Sequence, residues 1–200
     1  PGNPNEVYLE YSSNPNFSGT GTPPTSETPK DTVLVFTYQL DINKVDGTTP
    51  TKKLQNAEFK LRCVAAEKEA TWNGTWVTVD ANNKVTGWAD TQGKGSTLIT
   101  NANGLAQVIG LDAGTYELYE TKAPGGYNKL KDPIKIVITA TLDKTEDNPA
   151  LTALTIKVDD SAAKAGDVTK GTVSTTVTNN SGATLPETGG VGTTLFYIIG

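Results

Sequence analysis

The sequence contains no histidine and no methionine, and it has a single cysteine among 200 residues. Without histidine, a Ser-His-Asp site, a Cys-His site or a typical zinc site cannot be assembled. Cys63 cannot form an internal disulfide, and it shares strand parity with Phe59 and Leu61, which predicts a small buried hydrophobic side chain. These absences disfavour a hydrolase, and we expect neither a metal ion nor any other cofactor.

Positive charge is also scarce. The formal net charge is −5 at pH 7, and no cluster of Lys or Arg interleaves with aromatic side chains. Nucleic-acid surfaces need positive charge, so we expect no nucleic acid partner. Asp143, Glu146 and Asp147 lie close together in sequence, but their spacing does not match the EF-hand loop, and a solvated turn is the simpler interpretation.

The abundant residues are Thr, Val, Asn, Gly and Asp, and helix formers are sparse. Short alternating apolar runs recur between turns that contain Gly, Asn or Pro, which predicts an all-β sandwich. The hydrophobic content of 36% is enough for a core. Asn-Gly pairs at 73–74 and 103–104 are hairpin signals. The predicted strands cover residues 32–45, 57–66, 76–79, 84–88, 98–100, 106–111, 114–121, 133–140, 151–158 and 172–179.

Composition divides the chain into four parts. Residues 1–17 contain one strand-like run, at 7–11, which we interpret as the last strand of a preceding, mostly absent domain. Residues 18–31 form a Gly/Pro/Thr linker, residues 32–180 one β-domain, and residues 181–200 an exposed tail. The chain begins with Pro and carries no secretory signal, so we expect a processed or shortened product.

Three polar residues share strand parity with apolar neighbours. Alternate side chains of a strand lie on one face, which places Lys44 with Leu40 and Ile42. The same alternation turns Glu120 and Asn179 inward. A lone buried Lys or Glu costs several kcal/mol, so two such residues should be near one another. The alternative is that each residue marks the frayed end of its strand, where polar side chains meet water.

The local sequence resembles the collagen-adhesin B-type (CnaB) domains of Gram-positive pilins. Residues 116–127 (Tyr-x-Leu-x-Glu-Thr-x-Ala-Pro-x-Gly-Tyr) are similar to that family's E-box, and residues 43–47 (Asn-Lys-Val-Asp-Gly) are similar to its first strand. Residues 54–61 are similar to its second strand, with Asn56 in place of a family Gly. The resemblance implies an immunoglobulin-like or prealbumin-like β-sandwich.

The resemblance also implies an intramolecular isopeptide bond. By motif, Lys44 is the amine nucleophile, Asn179 the carboxamide electrophile and Glu120 the catalytic acid that shuttles the proton. Burial favours the neutral forms of an amine and a carboxylic acid, so proton exchange inside a core leaves a nucleophilic amine beside an acid. The acid is expected to hydrogen-bond to the amide oxygen of Asn179. The reaction occurs once per chain, so the protein is not a turnover enzyme.

The tail carries a sequence that resembles the sortase sorting signal. A match of five residues is weak alone, but this one follows the last predicted strand in a Gly/Ser/Thr-rich tail. The resemblance implies cleavage after Thr188 and transfer to an amine of a neighbouring pilin subunit or of peptidoglycan. The residues beyond the motif are fewer than the roughly 20 apolar residues that span a bilayer. The motif consists of Leu185, Pro186, Glu187, Thr188 and Gly189.

Two functions compete. The first is a structural subunit of a sortase-assembled pilus, located outside the cell and attached covalently to the Gram-positive cell wall. The second is a stalk or ligand-binding domain of a wall-anchored adhesin or minor pilin, whose ligand would be a host glycan or matrix protein. Trp72, Trp76 and Trp88 are the only residues that favour the second function, and packing in the core or in a hairpin is the preferred explanation for them.

Overall fold

The computed structural model describes residues 2–14, 16–144 and 149–182, and within these ranges the regular structure is almost entirely β-strand. Two short 3-10 turns occur at Ala70–Trp72 and Gln92–Lys94, and neither could cross a bilayer. The strands are β1 (Asn3–Val7), β2 (Glu10–Ser12), β3 (Thr25–Glu27), β4 (Asp31–Val35), β5 (Tyr38–Asp46), β6 (Glu58–Ala66), β7 (Trp76–Val79), β8 (Val85–Ala89), β9 (Leu98–Ile99), β10 (Leu105–Leu111), β11 (Gly114–Lys122), β12 (Ile134–Asp143), β13 (Ala150–Val158), β14 (Lys164–Ala165) and β15 (Thr172–Asn179).

Two sheets form the sandwich. In the smaller sheet, β5 lies between β10, which is antiparallel to it, and β15, which is parallel to it. The larger sheet has the order β14-β13-β12-β11-β6-β7-β8, and β9 pairs with β6. The first and last strands of the sandwich are therefore hydrogen-bonded neighbours, and β11 lies inside the opposite sheet between β6 and β12.

The core lies between the inner faces of the two sheets. Strand alternation explains it, because apolar side chains at every second position share one face. In β5, for example, Leu40 and Ile42 are buried while Gln39 and Asp41 are only partly covered. The prediction of an all-β sandwich is confirmed. Other buried side chains include Phe59, Leu61, Cys63, Val108, Tyr116, Leu118, Ile136, Ile138, Leu154, Ile156, Val173 and Val177.

The N-terminal residues differ from the sequence prediction. The single strand predicted at 7–11 is two strands, β1 and β2, and β3 lies within the predicted linker, where it pairs with β2. The strand predicted at 32–45 is also divided. Its first part, β4, pairs with β1, whereas β5 pairs with β10 and β15. The two-residue alternation continues through Leu34, Phe36 and Tyr38, so the pattern gave no sign of the change in partner.

Candidate functional site

Lys44 lies on the inner face near the end of β5. Its side chain is 0% exposed, although Lys is rarely buried completely. The backbone of Lys44 is held on both sides, because its N–H donates to the Gly104 carbonyl (2.7 Å) and its carbonyl accepts from the Leu54 N–H (2.9 Å). Nζ lies 5.8 Å from the centre of the Phe59 ring. The amine therefore ends inside the core, out of contact with solvent.

Glu120 faces Lys44 from the opposite sheet. It belongs to β11 next to Phe59 of β6, and its side chain is completely covered. Oε1 lies 3.3 Å from Nζ of Lys44. Oε2 accepts hydrogen bonds from the Leu130 N–H (2.7 Å) and from Nδ2 of Asn179 (2.9 Å). One carboxyl group therefore contacts both the amine and the carboxamide.

Asn179 completes the group from β15. In the parallel ladder Val177 is opposite Lys44 and Asn179 is opposite Asp46, so Asn179 lies one inward-facing position beyond the lysine. Its amide orientation is fixed because Nδ2 donates to the Asn128 carbonyl (2.8 Å), which can only accept. The expected hydrogen bond from the acid to the amide oxygen is therefore wrong: the carboxyl contacts the amide nitrogen instead.

The burial of these residues contradicts the frayed-end alternative. Lys44, Glu120 and Asn179 are 0%, 6% and 2% exposed, and all three meet at one point between the sheets. Asn180, the next residue in the chain, is exposed, as the alternation predicts. Strand parity thus identified the inward side chains, and the requirement that buried charges be paired indicated the contact.

Burial at this point weakens the preference of the Lys44 amine for its charged form. Burial lowers the pKa of Lys44 below its ordinary value, and the attraction of Glu120 only partly opposes that effect. A lower pKa means that proton loss from the amine costs less than it does in water. The site therefore makes the nucleophilic, neutral form of the amine easier to reach than it is for a lysine in water.

Three buried polar atoms at this site form no hydrogen bond to any part of the chain that the structure describes: Lys44 Nζ, Glu120 Oε1 and Asn179 Oδ1. Nζ and Oε1 still face each other as an ion pair at 3.3 Å, whereas Oδ1 has no partner in the described residues. A buried polar atom left unsatisfied is rare in folded proteins because it costs about 1–3 kcal/mol. The three atoms are also those that an amide-forming reaction would use, namely a nucleophilic nitrogen, a proton acceptor and a carbonyl oxygen. The arrangement can therefore support acyl transfer from the carboxamide to the amine.

The sequence did not identify two contributors to the site, the Asn128 carbonyl and the Leu130 N–H. Both groups belong to the backbone of residues 127–130, which begin at the last residue of the E-box-like segment and precede β12. A backbone donor or acceptor can be supplied by almost any residue type, so no side-chain pattern signals it. The presence of Asn56 where the family has Gly in its second-strand motif has a local explanation. Asn56 has φ 64°, a region in which Gly is unstrained and Asn is the best tolerated alternative.

Other predicted sites are not part of this group. The sorting motif, Leu185 to Gly189, lies outside the described residues, as do Glu146 and Asp147 of the disfavoured calcium site. No cluster of three or more metal-binding side chains occurs within the described ranges. Trp76 is buried, while Trp72 and Trp88 are half-buried and stack with their ring centres 5.2 Å apart. The tryptophans therefore serve packing.

Comparison with known proteins agrees with this architecture. The chain is 29% identical over 167 residues to the trypsin-resistant surface T6 protein of Streptococcus pyogenes serotype M6, covering 77% of this chain and 26% of that protein. It is 28% identical to the pilus 2b backbone protein of group B streptococcus, with a TM-score of 0.52, covering 81% of this chain and 49% of that structure. The chain thus spans from about a quarter to about half of these relatives. Residues 38–153 match the sequence model of the SpaA prealbumin-like fold domain. The chain belongs to this SpaA family.

Proposed function

We propose that the chain is part of a structural subunit of a Gram-positive pilus, joined covalently to its neighbours or to the cell wall and stabilised by an isopeptide bond between Lys44 and Asn179. The family and the streptococcal pilus backbone relative support the structural role. The relative described as a surface protein supports a location outside the cell. Sortase, other pilin subunits and peptidoglycan are the partners that this role requires.

The meeting of Lys44, Glu120 and Asn179 inside the core is the observation that carries the bond. Oε1 of Glu120 takes a proton from the Lys44 ammonium, which leaves a neutral amine and a neutral acid. Nζ then attacks Cγ of Asn179. The carboxyl passes its proton to Nδ2, which Oε2 contacts at 2.9 Å, and the bond from Cγ to Nδ2 breaks. The attacking nitrogen releases its second proton to the carboxylate, and the departing ammonia carries that proton away as ammonium. The products are a new amide between the side chains and one ammonium ion, with Glu120 again a carboxylate.

Folding supplies the effective concentration for this reaction. Each of the three side chains comes from a different strand, and all are fixed by the sheets before any bond forms. Well-oriented groups held in this way react as though present at concentrations of about 10⁵ M or more. The chain therefore needs no external enzyme to form its cross-link, and it modifies itself only once.

Intact mass tests the bond. We expect the folded protein to be lighter than its sequence mass by one ammonia, because the amide replaces a free amine and a free carboxamide. Lys44→Ala and Glu120→Ala are expected to show the full sequence mass, since one lacks the nucleophile and the other the proton carrier. Glu117→Ala is the matched control. It removes a carboxylate from the same strand, but one that contacts Arg62 and Tyr119 on the outer face.

For the mass experiment, the contrary result is a parent protein with its full sequence mass. A Glu117→Ala protein that fails to lose ammonia would also contradict a specific role for Glu120. Removal of a β11 carboxylate outside the site would then block the reaction in the same way.

The tail is the second test of the proposed function. Incubation with a sortase and a small amine is expected to release the residues after Thr188 and to attach the amine to the Thr188 carbonyl, because residues 185–189 match the sorting motif. Pro186→Ala is the control, since it alters the motif without changing the tail length. Equal transfer of both proteins, or none from the parent, would count against the sorting role.

A further inference from the structure

Residues 127–130 hold the reactive groups from one side. The Asn128 carbonyl fixes the Asn179 amide, and the Leu130 N–H binds the Glu120 carboxyl. Both contacts depend on the position of this short loop, because backbone groups can move only when the chain around them moves. The geometry of the reacting atoms is therefore only as good as the anchoring of the loop.

On the N-terminal side of the loop lies an exposed turn, which the Tyr127 N–H closes on the carbonyl of the buried Pro124 at 3.1 Å. A side chain added at Gly125 or Gly126 would meet no atom within 4 Å, so this stretch lies open to solvent. Gly126 also has φ +82°, a conformation that only glycine adopts readily. Backbone pairing begins just beyond it, where Tyr127 bridges to Ser181 and the Asn128 N–H donates to the Asn180 carbonyl at 3.0 Å.

Tyr127 provides a side-chain anchor for the loop. Its hydroxyl donates to Oδ2 of Asp46 at 2.7 Å, which ties the loop to the end of β5. Lys52 covers this contact, with Nζ 5.5 Å from the centre of the Tyr127 ring and 3.9 Å from Oδ2. The hydrogen bond joins residues separated by 81 positions, so it links two distant parts of the fold.

Asp46 is a firm base for that anchor. Its Oδ1 accepts from the Thr48 N–H (2.8 Å) and the Thr49 N–H (2.9 Å), so the carboxylate cannot rotate freely. Asp46 is also the ladder partner of Asn179, and the Gly47 N–H donates to the Asn179 carbonyl at 2.9 Å. The anchor and the electrophile therefore share one rigid end of the β5–β15 pair.

We propose that Asp46 and Tyr127 are positioning residues for the formation of the Lys44–Asn179 bond. They act through the loop, which presents the Asn128 carbonyl to the amide of Asn179 and the Leu130 N–H to the carboxyl of Glu120. This proposal rests on the proposed function, because it assigns a role in the same reaction. Neither residue touches a reacting atom through its side chain. Their effect is to keep Nδ2 within hydrogen-bonding distance of Oε2, so that the carboxyl group that takes a proton from Lys44 also reaches the leaving nitrogen.

The test is the rate of ammonia loss in newly made protein. Full chains are synthesised in a cell-free system for a short pulse, quenched in acid at successive times, and weighed intact. Because displaced reacting groups lose rate steeply, we expect Tyr127→Phe to react about tenfold more slowly than the parent. Tyr119→Phe is the matched control. It removes the same atom from a hydrogen bond to a carboxylate, Glu117, on the outer face of β11. It is expected to react at the parent rate.

Two Asp46 variants separate positioning from folding. Asp46→Asn keeps the shape and an oxygen for the Thr48 and Thr49 amides, so its rate should lie between those of the parent and Asp46→Ala. Tryptophan fluorescence at each time point reports the folded fraction, to which the rates are normalised. If Tyr127→Phe does not fold, the ordering of the Asp46 variants decides the question.

The outcomes are distinct. Equal normalised rates for the parent, Tyr127→Phe and both Asp46 variants would overturn the positioning role while leaving the isopeptide bond intact. A parent protein that never loses ammonia would instead overturn the proposed function itself. A slow Tyr127→Phe together with an equally slow Tyr119→Phe would also overturn the proposal, because the effect would then not be specific to the loop.

Discussion

Under a stretching force applied before β4 and after residue 182, the parent protein is expected to show no extension from the segment between Lys44 and Asn179. Force enters through β5 and leaves through β15, and the side-chain amide would connect these strands directly. The roughly 135 residues between the two positions lie outside that path. The parallel ladder of β5 and β15 would not have to resist shear by hydrogen bonds alone.

The Lys44→Met/Glu120→Gln double variant provides the comparison. It cannot form the bond, yet it leaves no unpaired charge in the core, and Met and Gln closely match the volumes of the residues they replace. Once its β5–β15 ladder shears, the segment is expected to lengthen by about 450 Å when fully extended. Single-molecule force spectroscopy measures this step. The same lengthening in the parent would show that no covalent bridge carries the load.

Thermal unfolding should separate the same two proteins by a large margin. A cross-link that closes a loop of about 135 residues restricts the unfolded chain and adds on the order of 5 kcal/mol to the free energy of unfolding. For a domain of this size, that change lowers the Tm of the double variant by about 10–20 °C. Replacement of a buried ion pair by well-packed neutral residues is often close to neutral, so the loss is assigned to the bond.

Calorimetry of the two proteins at equal concentration measures the difference, and Glu117→Gln serves as a bonded control with an altered surface charge. Indistinguishable Tm values for the parent and the double variant would contradict a stabilising role. A similar drop in Glu117→Gln would point to surface electrostatics at Arg62 instead, since these side chains form a partly exposed ion pair.

The sequence was a good guide to the buried side chains because the period of a strand is two residues. Lys44, Glu120 and Asn179 each continue an apolar alternation, and all three are buried. Alternation says nothing about which strands are neighbours. The contact between the sheets followed from the cost of leaving a lysine and a glutamate unpaired in a core, together with the resemblance to isopeptide-containing domains.

What the sequence missed lies in backbone geometry and in changes of partner. The split between β4 and β5 leaves the alternation unbroken, because side chains on both sides keep the same parity while the pairing strands differ. The loop contacts of Asn128 and Leu130 are made by main-chain atoms. The orientation of the Asn179 amide depends on one of those contacts, so the hydrogen bond expected at its oxygen was assigned to the wrong atom.

The architecture suits a load-bearing role. The first and last strands of the sandwich are adjacent and parallel. The proposed bond joins side chains on their inner faces, next to the carboxyl of Glu120. Cys63 is buried in the larger sheet, and its burial raises the pKa of its thiol to about 11, so it offers no cross-link of its own. The isopeptide bond would therefore supply the covalent closure that a disulfide supplies in many small domains.

Peptide mapping of the folded parent protein tests the central claim most directly. After complete proteolysis, tandem mass spectrometry should find a branched peptide in which Lys44 and Asn179 are joined and one ammonia is missing. Lys44 should also resist cleavage by trypsin, because its amine is acylated. Linear peptides that carry a free Lys44 and an intact Asn179 carboxamide, with no branched species, would contradict the account.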